Sequence, residues 1–133
     1  MTPIVAAAVA FVFALPAGWG WGAEGHSSSV ESAELRVSGG FVRFEASFKD
    51  SGEGSSELRV WIEAYEGSGS GASHKALARK SGKGACQAGR TCVTLLRTVV
   101  QVLPGECYVG NALSTSEEGT SEKQSPASGR LCP

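Results

Sequence analysis

Four cysteines carry most of the chemistry open to this chain: Cys86, Cys92, Cys107 and Cys132, all in its last third. The gaps between them are five, fourteen and twenty-four residues. Zinc asks for Cys-x2-Cys pairs or for histidines at ligand spacing, and a thioredoxin-like redox pair asks for Cys-x-x-Cys. Neither pattern occurs, so no metal and no cofactor is expected. Four cysteines in a small chain read instead as a disulfide framework with three possible pairings.

His26 and His74 are the only histidines. His26 falls in a Ser-rich opening stretch and His74 follows a run of Gly and Ser. Both read as exposed, without the neighbours a general base needs. Glu117 and Glu118 sit in a polar stretch and read as solvated. The glycine-rich segments lack the Lys-Ser/Thr that completes a phosphate loop. The chain reads as non-enzymatic.

The net charge of −1 conceals a division. Between Gly67 and Gly105 there is no acid, while Lys75, Arg79, Lys80, Lys83, Arg90 and Arg97 supply six positive charges. Between Glu24 and Glu66 nine acids face four bases. The plain reading is a soluble surface with cross-strand pairing, Arg43 and Glu45 against Arg59 and Glu63. The functional reading is a basic patch that meets an anionic partner. No aromatic residue interrupts the basic stretch, and so nucleic acid, which is bound by stacking on aromatics, is not an expected partner.

Positioning these groups falls to strands. The chain opens with an uncharged apolar run from Ile4 to Leu15, too short to span a bilayer and suited to a signal-peptide core. Small residues around positions 20 to 23 offer cleavage sites, and residues 1–23 are expected to be a signal peptide. Residues 24–133 then form a single domain of roughly 110 residues, secreted into an oxidising compartment. Asn111, the only Asn, has Leu113 where a glycosylation acceptor needs Ser or Thr.

After the leader, period-two alternation is the main signal. Leu35 and Val37 mark a first short strand. Val42, Phe44, Ala46 and Phe48 point one way and Arg43, Glu45 and Ser47 the other. Asp50 to Ser55 reads as a loop. Leu58, Val60, Ile62 and Ala64 form the next inward face, with Arg59, Trp61, Glu63 and Tyr65 opposite. Gly67 to Gly71 reads as a flexible loop, and a weak edge strand follows around Leu77. The stretch from Cys92 to Leu103 is apolar on both faces, as a centrally buried strand would be. A strand from Tyr108 to Thr115, a polar loop to Lys123 and a last strand from Gln124 to Leu131 complete an antiparallel β-sandwich of about seven short strands.

Leu103-Pro104-Gly105-Glu106-Cys107-Tyr108-Val109 resembles the corner between the fifth and sixth strands of immunoglobulin-like and fibronectin type III-like domains. In those domains a Leu-Pro-Gly turn precedes a Tyr that hydrogen-bonds back to the corner. The resemblance implies an immunoglobulin-like sandwich and says nothing of function. The sequence departs from it in having no Cys on the strand from Val42 to Phe48. It also places Trp61 on the face opposite Val60 and Ile62.

Topology then favours one cysteine pairing. If Cys107 begins one strand and Cys132 ends its antiparallel neighbour, the two lie side by side, with Thr115 facing Gln124. Cys86 and Cys92 bracket a loop short enough to close. Chain entropy puts Cys86–Cys92 at about 2.4 kcal/mol and Cys107–Cys132 at about 3.5 kcal/mol.

The expectation is a secreted binding module that recognises an extracellular protein. Trp61 and Tyr65 would anchor the partner, and Lys75, Arg79, Lys80 and Lys83 would steer it. Three alternatives stay open, one of them a structural envelope component with no discrete ligand. Arg90, held on the Cys86–Cys92 ring, could enter a protease as a substrate-like inhibitor does. The basic stretch could instead dock the protein on anionic glycans or lipids.

Overall fold

The computed structural model describes residues 25–67 and 74–133. The expected signal peptide and most of the Gly/Ser loop lie outside the described residues. Alternation dictates the rest. In β2 (Phe41–Ser51) the residues Val42, Phe44, Ala46 and Phe48 are buried, and in β3 (Gly54–Tyr65) Leu58, Val60, Ile62 and Ala64 are buried. Side chains on a strand alternate sides, so each strand gives one face to the core.

The other strands are β1 (Ser27–Ser38), β4 (His74–Cys86), β5 (Thr91–Gln101), β6 (Cys107–Ser116) and β7 (Gly119–Ser125). They form two antiparallel sheets, in the orders β1-β2-β5 and β4-β3-β6-β7. Val30, Leu35 and Leu96 join the inner residues of β2 on one side of the core. Tyr108 and Ala112 join those of β3 on the other. Each large aliphatic or aromatic side chain removed from water in this way contributes about 1.5–3 kcal/mol.

Both open sides of the sandwich are fastened. On one side, β7 hydroxyls accept backbone N–H groups from the free edge of β1: Val30 to Ser121 Oγ at 3.1 Å and Leu35 to Ser125 Oγ at 2.9 Å. On the other, the Cys86–Cys92 disulfide joins β4 to β5, and Thr98 Oγ1 donates to the Ala78 carbonyl at 2.6 Å. Backbone groups at an unpaired edge invite foreign strands, and these bonds occupy some of them.

Several expectations change. β1 begins eight residues before Leu35, held by pairing with β2 although Ser27-Ser28-Ser29 has no apolar rhythm. The expected loop from Asp50 shrinks to Gly52 and Glu53, because Asp50 and Ser51 still pair with β5. The stretch from Cys92 to Leu103 is not central: β5 is an edge strand of the smaller sheet. Its outward residues Val93, Leu95 and Val99 are 63%, 53% and 46% exposed, since no further layer among the described residues covers that face. The strand buried on both faces is β6, where every residue from Cys107 to Ala112 is buried.

The polar stretch after Ser116 is a tight hairpin, and Thr115 pairs with Thr120 while Gln124 pairs with Asn111. Cys132 nevertheless reaches Cys107, because the chain beyond β7 returns alongside β6 and Leu131 bridges Tyr108. Arg43 and Glu45 do not meet Arg59 and Glu63, which belong to the other sheet. Arg97 Nε donates to Glu45 Oε2 instead, at 2.8 Å.

Candidate functional site

The outer face of β3 carries Arg59, Trp61, Glu63 and Tyr65, as alternation requires. Beside it β4 departs from regular pairing. Val60 faces Lys80 and Ile62 faces Leu77, so β4 holds one residue more than β3 across Trp61. Ala78 takes the left-handed conformation there, with φ 52°. Such a bulge twists the strand and re-aims its side chains. The result is a groove lined by Arg59, Trp61 and Glu63 from β3 and by Lys75, Arg79 and Lys80 from β4.

Trp61 and three of the four steering residues expected from sequence thus come together. Lys83 lies further along β4, in a neighbouring depression with Glu57 and Arg59. Among the described residues the cationic lining contains one carboxylate, and it is engaged: Glu63 accepts from Trp61 Nε1 at 3.3 Å and from the Tyr65 hydroxyl at 3.0 Å. Glu63 therefore fixes the polar edges of both aromatic rings.

Tyr65 already has partners within the protein. Its ring stacks on His74 with centroids 4.9 Å apart, and the Arg130 guanidinium lies 3.7 Å from its centroid. Arg130 is held by donating Nη1–H to the Gly67 carbonyl at 3.0 Å. Burial raises the Tyr65 pKa, the Glu63 hydrogen bond and charge raise it further, and Arg130 opposes them. Tyr65, expected as a second anchor, does not line the groove; Trp61 is the aromatic residue that does.

Arg90 lies elsewhere, exposed on the loop closed by the Cys86–Cys92 bond. Its carbonyl accepts Gly52 N–H at 3.2 Å and its own N–H reaches the Gln87 carbonyl at 3.1 Å. That loop adjoins the Gly54 end of β3, since Gly54 pairs with Cys86. The groove occupies the other end of the strand.

Sequence reasoning missed a third group. His26 is not an exposed residue at a loose terminus: it is 3% exposed and tied at both ring nitrogens. Nε2 lies 2.6 Å from Asp50 Oδ2 and Nδ1 lies 2.9 Å from the Gly52 carbonyl. The Ser56 hydroxyl donates to the same Asp50 oxygen at 2.5 Å. Asp50 is fully buried, and its Oδ1 has no hydrogen-bond partner among the described residues and faces Gly84, where any β-carbon would strike it.

A signal for this cluster exists in the sequence. Asp50 continues the inward parity of Val42 to Phe48, and Ser56 continues that of Leu58 to Ala64. Polar residues at core-facing positions need a buried partner. The pattern does not name His26 as that partner, because it lies 24 residues away. Asp50 stands between His26 and Ser56, so the hydroxyl is bonded to the carboxylate and not to the imidazole. A nucleophilic serine needs the imidazole between its hydroxyl and the carboxylate. Burial by itself would lower the His26 pKa. The Asp50 hydrogen bond, the Gly52 carbonyl and the charges of Asp50 and Glu117 outweigh it, and the net direction is upward.

No protein-family model matches the chain, and no curated protein matches it. Among solved structures it is similar to the E. coli curli protein CsgC, at 14% identity and a TM-score of 0.40, over 75% of this chain and 99% of that one. So loose a likeness carries no argument about function.

Proposed function

We propose that the chain is a secreted, non-enzymatic binding module whose groove between β3 and β4 takes an acidic segment of an extracellular protein. The observation that carries this reading is the convergence of Trp61 with Arg59, Lys75, Arg79 and Lys80 on one concave surface. An amphipathic aromatic ring beside clustered cations suits an acidic, partly apolar segment. The two disulfides support an oxidising compartment, and the apolar leader supports export.

An immunoglobulin-like or fibronectin type III-like identity belongs to the same proposal. It is supported by the strand order and by the corner at Tyr108, whose hydroxyl accepts Leu103 N–H at 2.9 Å.

The test follows the indole N–H signal of Trp61 by NMR while acidic peptides, heparin and anionic vesicles are added in turn. Saturable shifts with an acidic peptide, weakened about tenfold or more in Arg79→Glu/Lys80→Glu, are expected. A response to heparin or vesicles alone would replace the protein partner with an anionic surface. No response to any probe would remove the groove as a site.

The second reading keeps Arg90. Its main chain is tethered on both sides, by Gly52 and by Gln87, and a loop ordered beforehand loses less entropy on binding. A trypsin-like protease left fully active by excess protein would exclude it.

A further inference from the structure

The His26 ring faces two acceptors, a carboxylate on one side and a carbonyl on the other. Both contacts are made at once only by an imidazolium, or by a neutral ring that shares one further proton with Asp50. The proton between Nε2 and Oδ2 is therefore part of the fold. When it leaves, one N–H remains for two acceptors. The charged carboxylate at 2.6 Å is the stronger acceptor and keeps that N–H. Nδ1 is then a lone pair aimed at the Gly52 carbonyl oxygen, and that contact becomes repulsive.

Gly52 occupies the turn between β2 and β3 with φ 83°, in the left-handed region. Its carbonyl meets His26, and its N–H holds the Arg90 carbonyl on the Cys86–Cys92 loop. Gly54, at the far side of the same turn, packs against the His26 side chain so closely that a β-carbon there would overlap it. One residue thus joins the start of β1, the β2–β3 turn and the disulfide loop.

We propose that His26 is a proton-operated clasp, fastening the Gly52 turn and through it the Arg90 loop when protonated, and releasing both while the two sheets stay folded.

The surroundings favour the protonated form. Among the described residues, the charged groups facing His26 are Asp50 from β2 and Glu117 from the turn between β6 and β7, with Glu118 of that turn against the neighbouring Gly25, all acidic. β3 presents Gly54 and Ser56, and β4 presents Gly84 to Asp50, none of them charged. The folded His26 pKa lies above the ordinary 6.5. The contribution of the clasp is complete below pH 6.5 and is lost as pH rises through the higher folded value.

The experiment is an NMR titration of the whole secreted protein from pH 5.5 to 8.5. His26 and His74 are the only ring signals to separate, and His74→Gln assigns them. Hydrogen-exchange protection of the Gly52 amide is followed in parallel, corrected for intrinsic exchange, with Val60 as core reference. We expect a His26 midpoint above 6.5 and a tenfold or greater loss of Gly52 protection through that midpoint, with Val60 unchanged. His26→Gln should leave Gly52 unprotected at every pH. A His26 midpoint at or below 6.5, or Gly52 protection that follows Val60 throughout, would overturn the proposal, and this wild-type result decides it without the variant.

Discussion

The Phe44 ring of β2 lies against the backbone of Gly110 in β6, so closely that a β-carbon at position 110 would overlap the ring. Phe44 is 1% exposed and fills the middle of the core between the two sheets. Gly110 is what lets β6 come this near.

Gly110→Ala is accordingly expected to destabilise the protein by about 1–3 kcal/mol, the usual cost of overpacking a core. Urea unfolding measures it. Phe44→Leu in the same chain should recover part of the loss, since neighbouring substitutions are not additive. A Gly110→Ala protein as stable as wild type would mean that the ring moves aside freely.

Both tyrosines are expected to resist ionisation. Burial raises Tyr108, and Glu106 adds to this while the Leu103 N–H works against it. Burial and Glu63 raise Tyr65. Each folded value lies above the unfolded 10.0, so the stabilisation is complete below pH 10 and is lost as pH rises through the folded values. Phenolate absorbance should therefore appear above pH 10 together with loss of the native circular dichroism. A tyrosine that ionises at pH 10 in an intact fold contradicts this.

The outward row of β5 makes a third expectation. Val93, Leu95 and Val99 stand exposed, opposite Lys49, Ser47 and Arg43 of β2. Exposed apolar residues on an edge strand promote association. Leu95→Thr should leave stability within about 0.5 kcal/mol of wild type and reduce light scattering in concentrated solution. Scattering unchanged by the substitution would clear this row of any part in self-association.

The corner at Tyr108 was legible because its residues are contiguous: a Leu-Pro-Gly turn brings the hydroxyl back to Leu103 within one bend. The inward faces of β2 and β3 were legible because alternation has a period of two. The Cys86–Cys92 pairing was legible from the short loop it closes, whereas Cys107–Cys132 was reached through a facing of Thr115 and Gln124 that the structure replaces with other pairs. The lateral position of β5 was not legible. A strand apolar on both faces reads the same at the centre of a sheet and at an uncovered edge. The groove was half legible: Trp61 and the basic residues stand out separately, and their meeting depends on the bulge at Ala78.

The sequence by itself determined which side of most strands enters the core, the disulfide framework and the charge of β4. Those properties depend on residue type and on short-range spacing. Only the tertiary structure decided that His26 is the buried hydrogen-bond partner of Asp50, that β5 lies at an edge and that Arg130 covers Tyr65. Each of these joins segments far apart in the chain. Backbone hydrogen bonding, alike for every residue except proline, leaves no mark in the sequence of which strand will lie beside which.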